Sequence, residues 1–287
     1  MKANRRPDRT LFLLAAVGAA FLAVGLLSLM PVSSAGRLEA VPTDEVFLRD
    51  LTWVELRAQV EAGKTTVIIP TGGIEQNGPH MILGKHGYIV TEAARRIAVA
   101  LGDALVAPTI DTVPEGDIDA RAGHMAFPGT ISIPEPVFDA LIENIARSLK
   151  AHGFRRILLL GDSGGNQKAQ VSVAARLNAA WLDEGVRVIA LSDYYSPANG
   201  HLEWLGGKGL STREIGGHAG IRDTSELMAV NPAGIRRDRL APFGGEFDEP
   251  TGVDGDPNKA TEEIGAALLE LKVTAALRQI EAESAKP

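Results

Sequence analysis

From residue 65 onward the sequence alternates short apolar segments with longer segments of helical periodicity, and this alternation constrains the fold more than any other feature. Strand-like segments lie at residues 65–70, 104–110, 156–160 and 186–191. Segments with helical spacing lie at residues 89–101, 134–152, 167–182 and 262–282. Continuously apolar strands are typical of parallel sheets that helices cover on both faces. The pattern therefore predicts an α/β protein with three layers, α/β/α, around a mostly parallel central sheet.

The first 36 residues have the pattern of an export segment. Four basic side chains lie within residues 1–9, an uncharged apolar run covers residues 11–30, and small residues follow. This order is typical of a signal peptide, but a run of about 20 residues is also long enough to span a bilayer. A cleaved signal and a retained anchor in the inner membrane both stay open. Either one places the predicted α/β domain, residues 37–287, outside the cytoplasm, as a periplasmic or secreted protein.

Composition excludes several classes of chemistry and partner. The sequence contains no cysteine, which excludes thiolate nucleophiles and cysteine-ligated zinc. A domain of roughly 250 residues can bury enough apolar surface without disulfides. The 29 basic and 36 acidic side chains are spread along the chain and give a net charge of −7. Because no basic block is present, we expect no nucleic-acid partner.

The loop after the first predicted strand, residues 72–86, is rich in groups that bind metals. It contains Glu75, Asn77, His80 and His86. In a parallel sheet, functional side chains lie on loops that leave the carboxyl ends of strands. A carboxylate and imidazoles at such a position suit zinc, manganese or iron. The alternative is a polar loop whose histidines only form local hydrogen bonds.

The loop after the third predicted strand admits a different chemistry. Ser163 lies in the segment Gly-Asp-Ser-Gly-Gly, with a glycine two positions before it and two positions after it. This is the spacing of the nucleophile elbow of serine hydrolases. In that interpretation Ser163 would attack the substrate, and His218 or His124 would be its base.

Four segments resemble, in the same order, the signature segments of the creatininase family of metal-dependent amidohydrolases. They are residues 72–81 (GGIEQNGPHM), 123–131 (GHMAFPGTI), 160–166 (LGDSGGN) and 218–225 (HAGIRDTS). The resemblance implies a creatininase-like three-layer fold and hydrolysis of a C–N amide bond in a small, linear or cyclic substrate. It also implies a homo-oligomer, with a hexamer as the expected assembly.

The site of this family holds two divalent ions, and the resemblance implies altered ligands here. Glu75 matches a glutamate ligand, and Asp223 keeps the charge of a family glutamate. Asn77 and Ser163 replace histidine ligands, and His86 replaces an aspartate that bridges the two metals. A neutral imidazole normally ligates a single metal, which disfavours a two-metal centre. The resemblance therefore implies one zinc, manganese or iron ion bound by Glu75, His86 and Asp223, with Asp162 as a further candidate ligand. A site without any metal is the alternative.

The other predicted site residues would act on the substrate or on protons. Besides Ser163, the catalytic candidates are His218 and His124, which would line the pocket and transfer protons. Substrate-binding roles are predicted for Gly73, Asn77, His80 and Asp162. The replaced metal ligands also motivate a second function: a non-catalytic protein outside the cytoplasm that binds a small ligand or a partner on the same fold.

Overall fold

The computed structural model describes residues 45–243 and 251–285, so the predicted export segment, residues 1–36, lies outside the described residues. Six strands occur in the described part: β1 (Thr66–Thr71), β2 (Ala104–Val106), β3 (Gly116–Asp117), β4 (Ala122–Gly123), β5 (Arg156–Gly161) and β6 (Arg187–Ala190). Four of them form a parallel sheet in the order β2-β1-β5-β6 within these ranges. β3 and β4 form a small antiparallel hairpin.

Helices cover both faces of the sheet. In chain order they are α1 (Trp53–Glu61), α2 (Lys85–Leu101), α3 (Glu135–Ala151), α4 (Gln167–Ala180), α5 (Ser192–Tyr195), α6 (His201–Gly207), α7 (Thr212–Ile215), α8 (Ile221–Val230) and α9 (Glu262–Ser284). Among the described residues, no helix combines the length and the apolar character that crossing a bilayer requires.

The strand side chains alternate between two cores, as the geometry of a strand requires. Val67 and Ile69 of β1 pack with the apolar faces of α3 and α4. Ile68 points to the opposite face and packs with α2 and α9. Both faces of β1 are therefore buried, which explains its continuously apolar sequence. The three-layer α/β/α fold predicted from the sequence is confirmed.

Several elements differ from the predicted ones, and two of the differences affect the site. β2 ends at Val106 rather than at residue 110, because Pro108 has no N–H to donate to a neighbouring strand. α2 begins four residues earlier than predicted, so its first turn contains Lys85 and His86. α8, which contains Asp223, was not predicted from the sequence.

The topology brings the two predicted site loops together. β1 and β5 are neighbours, and Thr71 pairs with Gly161 at their carboxyl ends. The loops that follow these strands therefore leave the same edge of the sheet side by side. α8 is attached to the first loop, since His80 Nε2 lies 3.0 Å from the Thr224 hydroxyl.

Candidate active site

A cavity of about 340 Å³ opens where the loops after β1 and β5 meet. The β3–β4 hairpin and residues of α6, α8 and α9 complete its wall. Seven of the predicted site residues line it: Glu75, His86, His124, Asp162, Ser163, His218 and Asp223. Its volume suits a small molecule, since ligand pockets span about 300–1,000 Å³.

Glu75 is the buried centre of this cavity. Its Oε1 atom lies 2.8 Å from His86 Nε2, and its Oε2 atom lies 3.1 Å from His124 Nε2. Burial alone would raise the pKa of Glu75, but the positive charges of His86 and Lys85 outweigh it and hold the pKa well below its usual range. Glu75 is therefore a carboxylate at neutral pH.

Glu75, His124 and His218 form a set of metal-binding groups. One potential ligand atom from each residue lies within 4.8 Å of the others. Burial lowers the pKa of His124 and lowers that of His218 to about 3, so both rings are neutral. His218 Nε2 donates to the Gln76 carbonyl at 2.9 Å, which leaves the lone pair on Nδ1, the nitrogen that faces Glu75. A carboxylate and two neutral imidazoles fit one zinc, manganese or iron ion.

The residues do not fit a second ion at the positions that the family resemblance suggests. Asn77 is fully buried, and its amide Nδ2 donates to the carbonyls of Glu75, Ile82 and Leu83 at 2.9, 3.1 and 3.2 Å. Asn77 therefore stabilises the loop in which it lies through hydrogen bonds to the backbone. It does not line the cavity, and its predicted role in substrate binding stays a prediction.

Two buried lysines provide positive charge beside the cavity's carboxylates. Lys85 Nζ lies 2.7 Å from Asp223 Oδ2 and 3.4 Å from Glu75 Oε1. Lys272 Nζ lies 2.6 Å from Asp162 Oδ1 and 3.0 Å from Glu226 Oε2. A second divalent cation among these groups would face two ammonium charges at short range.

The predicted ligand set of Glu75, His86 and Asp223 stays a prediction, and the geometry favours a different set. His86 is bonded at both ring nitrogens, to Glu75 and to Asp162 at 2.8 Å each. Asp223 Oδ2 accepts from Lys85 and from the Ala219 N–H, both at 2.7 Å. To bind an ion, His86 and Asp223 would have to exchange these partners.

The other predicted site residues have defined partners. Ser163 donates to Glu115 Oε2 at 3.2 Å, whereas a nucleophilic serine pairs with a histidine base. Gly73 lies against the same carboxyl group, and a Cβ atom there would lie 2.1 Å from Glu115 Oε1. His80 is fully buried and bonds to α8 outside the cavity lining. Asp162 lines the cavity but accepts from Tyr194 and Lys272 at 2.8 and 2.6 Å.

Several ionisable residues of the cavity wall were missed from the sequence, among them Lys85, Glu115, His201, Arg222 and Lys272. Lys272 was the most visible signal in the sequence, because it is a lysine among the apolar residues of α9. Glu115 had no signal of its own. Burial and the charge of Glu75 raise its pKa to about 8, so it is protonated at neutral pH.

Sequence comparisons identify the family to which the chain belongs. The sequence profile of the creatininase family, described as creatinine amidohydrolase, matches residues 49–280. The chain is 27% identical over 202 residues to a creatinine amidohydrolase of Pseudomonas putida, which covers 68% of this chain and 75% of the relative. It is also 27% identical over 247 residues to a mycofactocin precursor peptide peptidase of Mycobacterium tuberculosis, covering 78% and 87%.

Solved structures show the same relationship. A crystal structure of creatinine amidohydrolase (creatininase) superimposes with a TM-score of 0.68 at 26% identity, covering 85% of this chain and all of that chain. A structure named Creatininase Mn gives a TM-score of 0.66 at the same identity, covering 84% of this chain. The profile match over most of the sequence, together with the shared fold, shows that the chain belongs to the creatininase family.

Proposed function

We propose that this protein hydrolyses a C–N amide bond of a small substrate, with one divalent metal ion bound by Glu75, His124 and His218. The observation that carries the proposal is the convergence of these three groups, within 4.8 Å of one another, on a cavity of small-molecule size. The relatives named creatinine amidohydrolase and peptide peptidase, which act on C–N bonds, support it. Solved creatininases of manganese and zinc type support the choice of metal.

The residues around the ion would prepare the site for this chemistry. A bound ion would polarise the amide carbonyl and lower the pKa of water. Lys85 and His86 keep Glu75 ionised, and the Gln76 carbonyl orients the His218 ring for metal binding. The protonated Glu115 would pass a proton to the leaving nitrogen, and Ser163 would orient Glu115 through their hydrogen bond.

Metal content and amide hydrolysis, measured on the same preparations, test the proposal. The purified chain is stripped with a chelator, resupplied with zinc, manganese or iron, and offered a panel of amides, lactams and formamides. We expect about one ion per chain and hydrolysis that depends on it, with both lost in Glu75→Ala and His218→Ala. His152→Ala is the matched control, because His152 is exposed at the end of α3. Absence of metal-dependent hydrolysis on the whole panel would contradict the proposal.

Two further variants compare the ligand sets. If Glu75, His124 and His218 bind the ion, His124→Ala loses it and Asp223→Asn retains it. The opposite result would favour the set predicted from the sequence, Glu75, His86 and Asp223.

The second candidate function is the non-catalytic binding protein, and one observation favours it. The ammonium groups of Lys85 and Lys272 already neutralise carboxylates of the cavity without any metal. If no ion binds and a small ligand still raises the melting temperature, this alternative replaces the first.

Location and assembly stay proposals. The basic and apolar pattern of residues 1–30 supports a position outside the cytoplasm, and the family membership supports a homo-oligomer. Cell fractionation with and without residues 1–30 tests the first, and light scattering of the purified protein tests the second.

A further inference from the structure

Arg222, in the first turn of α8, presents a guanidinium group to the cavity. Two protein acceptors hold it. Nη1 donates to His201 Nε2 at 2.8 Å, and Nη2 donates to the Gly217 carbonyl at 3.2 Å. Because a guanidinium has five N–H donors, this arrangement leaves donors for a ligand.

Buried polar groups fix the orientation of this guanidinium. His201 is 6% exposed, and its Nδ1 atom is bonded to the side-chain oxygen of Asn199. Asn199 is 2% exposed and donates to the Tyr194 carbonyl at 2.9 Å. Burial and the nearby charge of Arg222 lower the pKa of His201 to about 4, so the ring is neutral and Nε2 is an acceptor. The chain of contacts from Tyr194 to Arg222 therefore positions a cation in the cavity wall.

Arg222 has no carboxylate within 4.0 Å in the described ranges 45–243 and 251–285. The carboxylates of the cavity have closer cations of their own. Asp223 forms its short contact with Lys85. Burial would raise the pKa of Asp223, but the charge of Lys85, helped by that of Arg222, holds it low. Asp162 and Glu226 form their short contacts with Lys272. A cation fixed beside a small cavity, with the nearby carboxylates paired elsewhere, is suited to an anionic ligand.

We propose that Arg222 binds a carboxylate group of the substrate, so that the substrates are small amides with a free carboxylate, such as N-acyl amino acids. The planar guanidinium matches a carboxylate through two parallel hydrogen bonds, which a neutral amide cannot reproduce. The amide part of this proposal rests on the proposed function. The carboxylate preference rests on Arg222 and its supports.

Binding of matched ligand pairs tests the proposal without requiring turnover. The probes are N-acetyl amino acids and the corresponding N-acetyl amino acid amides, which differ mainly in the charge of one group. Dissociation constants are measured on the full chain by ligand-observed NMR. The measurement is repeated with a chelator, because a carboxylate could also bind a metal ion directly.

We expect the acids to bind more tightly than their amides, with or without the chelator. Arg222→Gln should weaken acid binding by about 10- to 100-fold, the loss expected for hydrogen bonds to a charged group, and leave amide binding unchanged. Arg222→Lys should retain part of the preference, since it keeps the charge but not the two parallel donors. Arg213→Gln is the control, because Arg213 is an exposed arginine on α7.

Three results would overturn the proposal: equal binding of acids and amides by the unmodified protein, no binding of any acid, or an unchanged preference in a folded Arg222→Gln protein. The outcome is separable from that of the proposed function. Arg222-dependent acid binding without hydrolysis would remove the amidohydrolase function and retain the carboxylate site. Hydrolysis without a preference for acids over amides would retain the amidohydrolase function and remove the carboxylate site.

Discussion

Lys272 Nζ lies 2.6 Å from Asp162 Oδ1, which joins α9 to the end of β5 across 110 positions of sequence. The same nitrogen lies 3.0 Å from Glu226 Oε2 and 4.6 Å from the centroid of the Tyr194 ring. Burial would lower the pKa of Lys272, but the charges of Asp162 and Glu226 outweigh it and hold the pKa well above its usual range. Helix α9 therefore supplies a permanent cation to the cavity wall.

We expect Lys272→Met to lower the free energy of unfolding by about 3–5 kcal/mol, because it leaves Asp162 and Glu226 buried without their cation. Urea unfolding followed by circular dichroism measures the change. Lys208→Met is the matched control. Lys208 is an exposed lysine on the Trp204 ring, and losing it should cost about 1 kcal/mol or less. Equal effects of the two substitutions would contradict the role given to Lys272.

Asn77→Asp should be destabilising although it changes a single group. The amide nitrogen that donates to three carbonyls would be replaced by an oxygen that repels them, at a cost of roughly 3 kcal/mol or more. Asn144→Asp is the control, since its amide also donates to a backbone carbonyl but lies on the exposed side of α3. A stable Asn77→Asp protein that binds two ions per chain would show that Asn77 is a ligand position after all.

Ser163→Ala separates metal-assisted hydrolysis from a serine nucleophile. Because Ser163 contributes one hydrogen bond to the Glu115 carboxyl group, we expect its removal to reduce hydrolysis by less than about tenfold. Loss of a serine nucleophile would reduce kcat by at least about 10⁴-fold. Initial rates at saturating substrate distinguish the two mechanisms. Ser148→Ala, on the exposed side of α3, is the control. Covalent labelling of Ser163 by a fluorophosphonate would support the nucleophile.

The protein should lose stability as the pH falls from about 6.5 to about 4, partly through His201. The pKa of His201 is lowered from 6.5 to about 4 in the folded protein. The unfolded chain therefore binds more protons in this interval, and the free energy of unfolding decreases as the pH falls. Above about pH 6.5 His201 is neutral in both the folded and the unfolded protein, so its contribution to the free energy of unfolding is constant.

His201→Gln isolates this contribution because glutamine keeps an acceptor for Arg222 but does not titrate. Between pH 7 and pH 4.5, we expect the unmodified protein to lose roughly 1–3 kcal/mol more than His201→Gln in urea unfolding. His152→Gln, at an exposed histidine, should behave like the unmodified protein. Parallel pH profiles for all three proteins would contradict the assignment.

The sequence predicted the layers of the fold and seven of the residues that line the cavity. Strand composition and spacing are local properties, and burial of β1 on both faces follows from its apolar run. The loops after β1 and β5 could be predicted to meet, since the ends of neighbouring parallel strands lie at one edge. The four family segments also indicated Glu75, His124 and His218, although not that these three groups converge.

The pairings inside the cavity could not be predicted, because they join residues that are distant in sequence. Glu75, His124 and His218 come from three separate segments, and their mutual distances exist only in the folded chain. Whether His86 faces a metal or a carboxylate depends on which groups surround it, and the structure places Glu75 and Asp162 at its two nitrogens.

The amino-acid sequence by itself determined the α/β class and the family segments, and it predicted replaced metal ligands at Asn77, His86 and Ser163. Only the tertiary structure decided which cations lie beside the buried carboxylates of the cavity. Lys85 and Lys272 reach the buried carboxylates from two different helices, and Arg222 faces the same cavity from a third. The physical reason is that a charge can be buried only beside its partner, and packing of distant elements determines which partner that is.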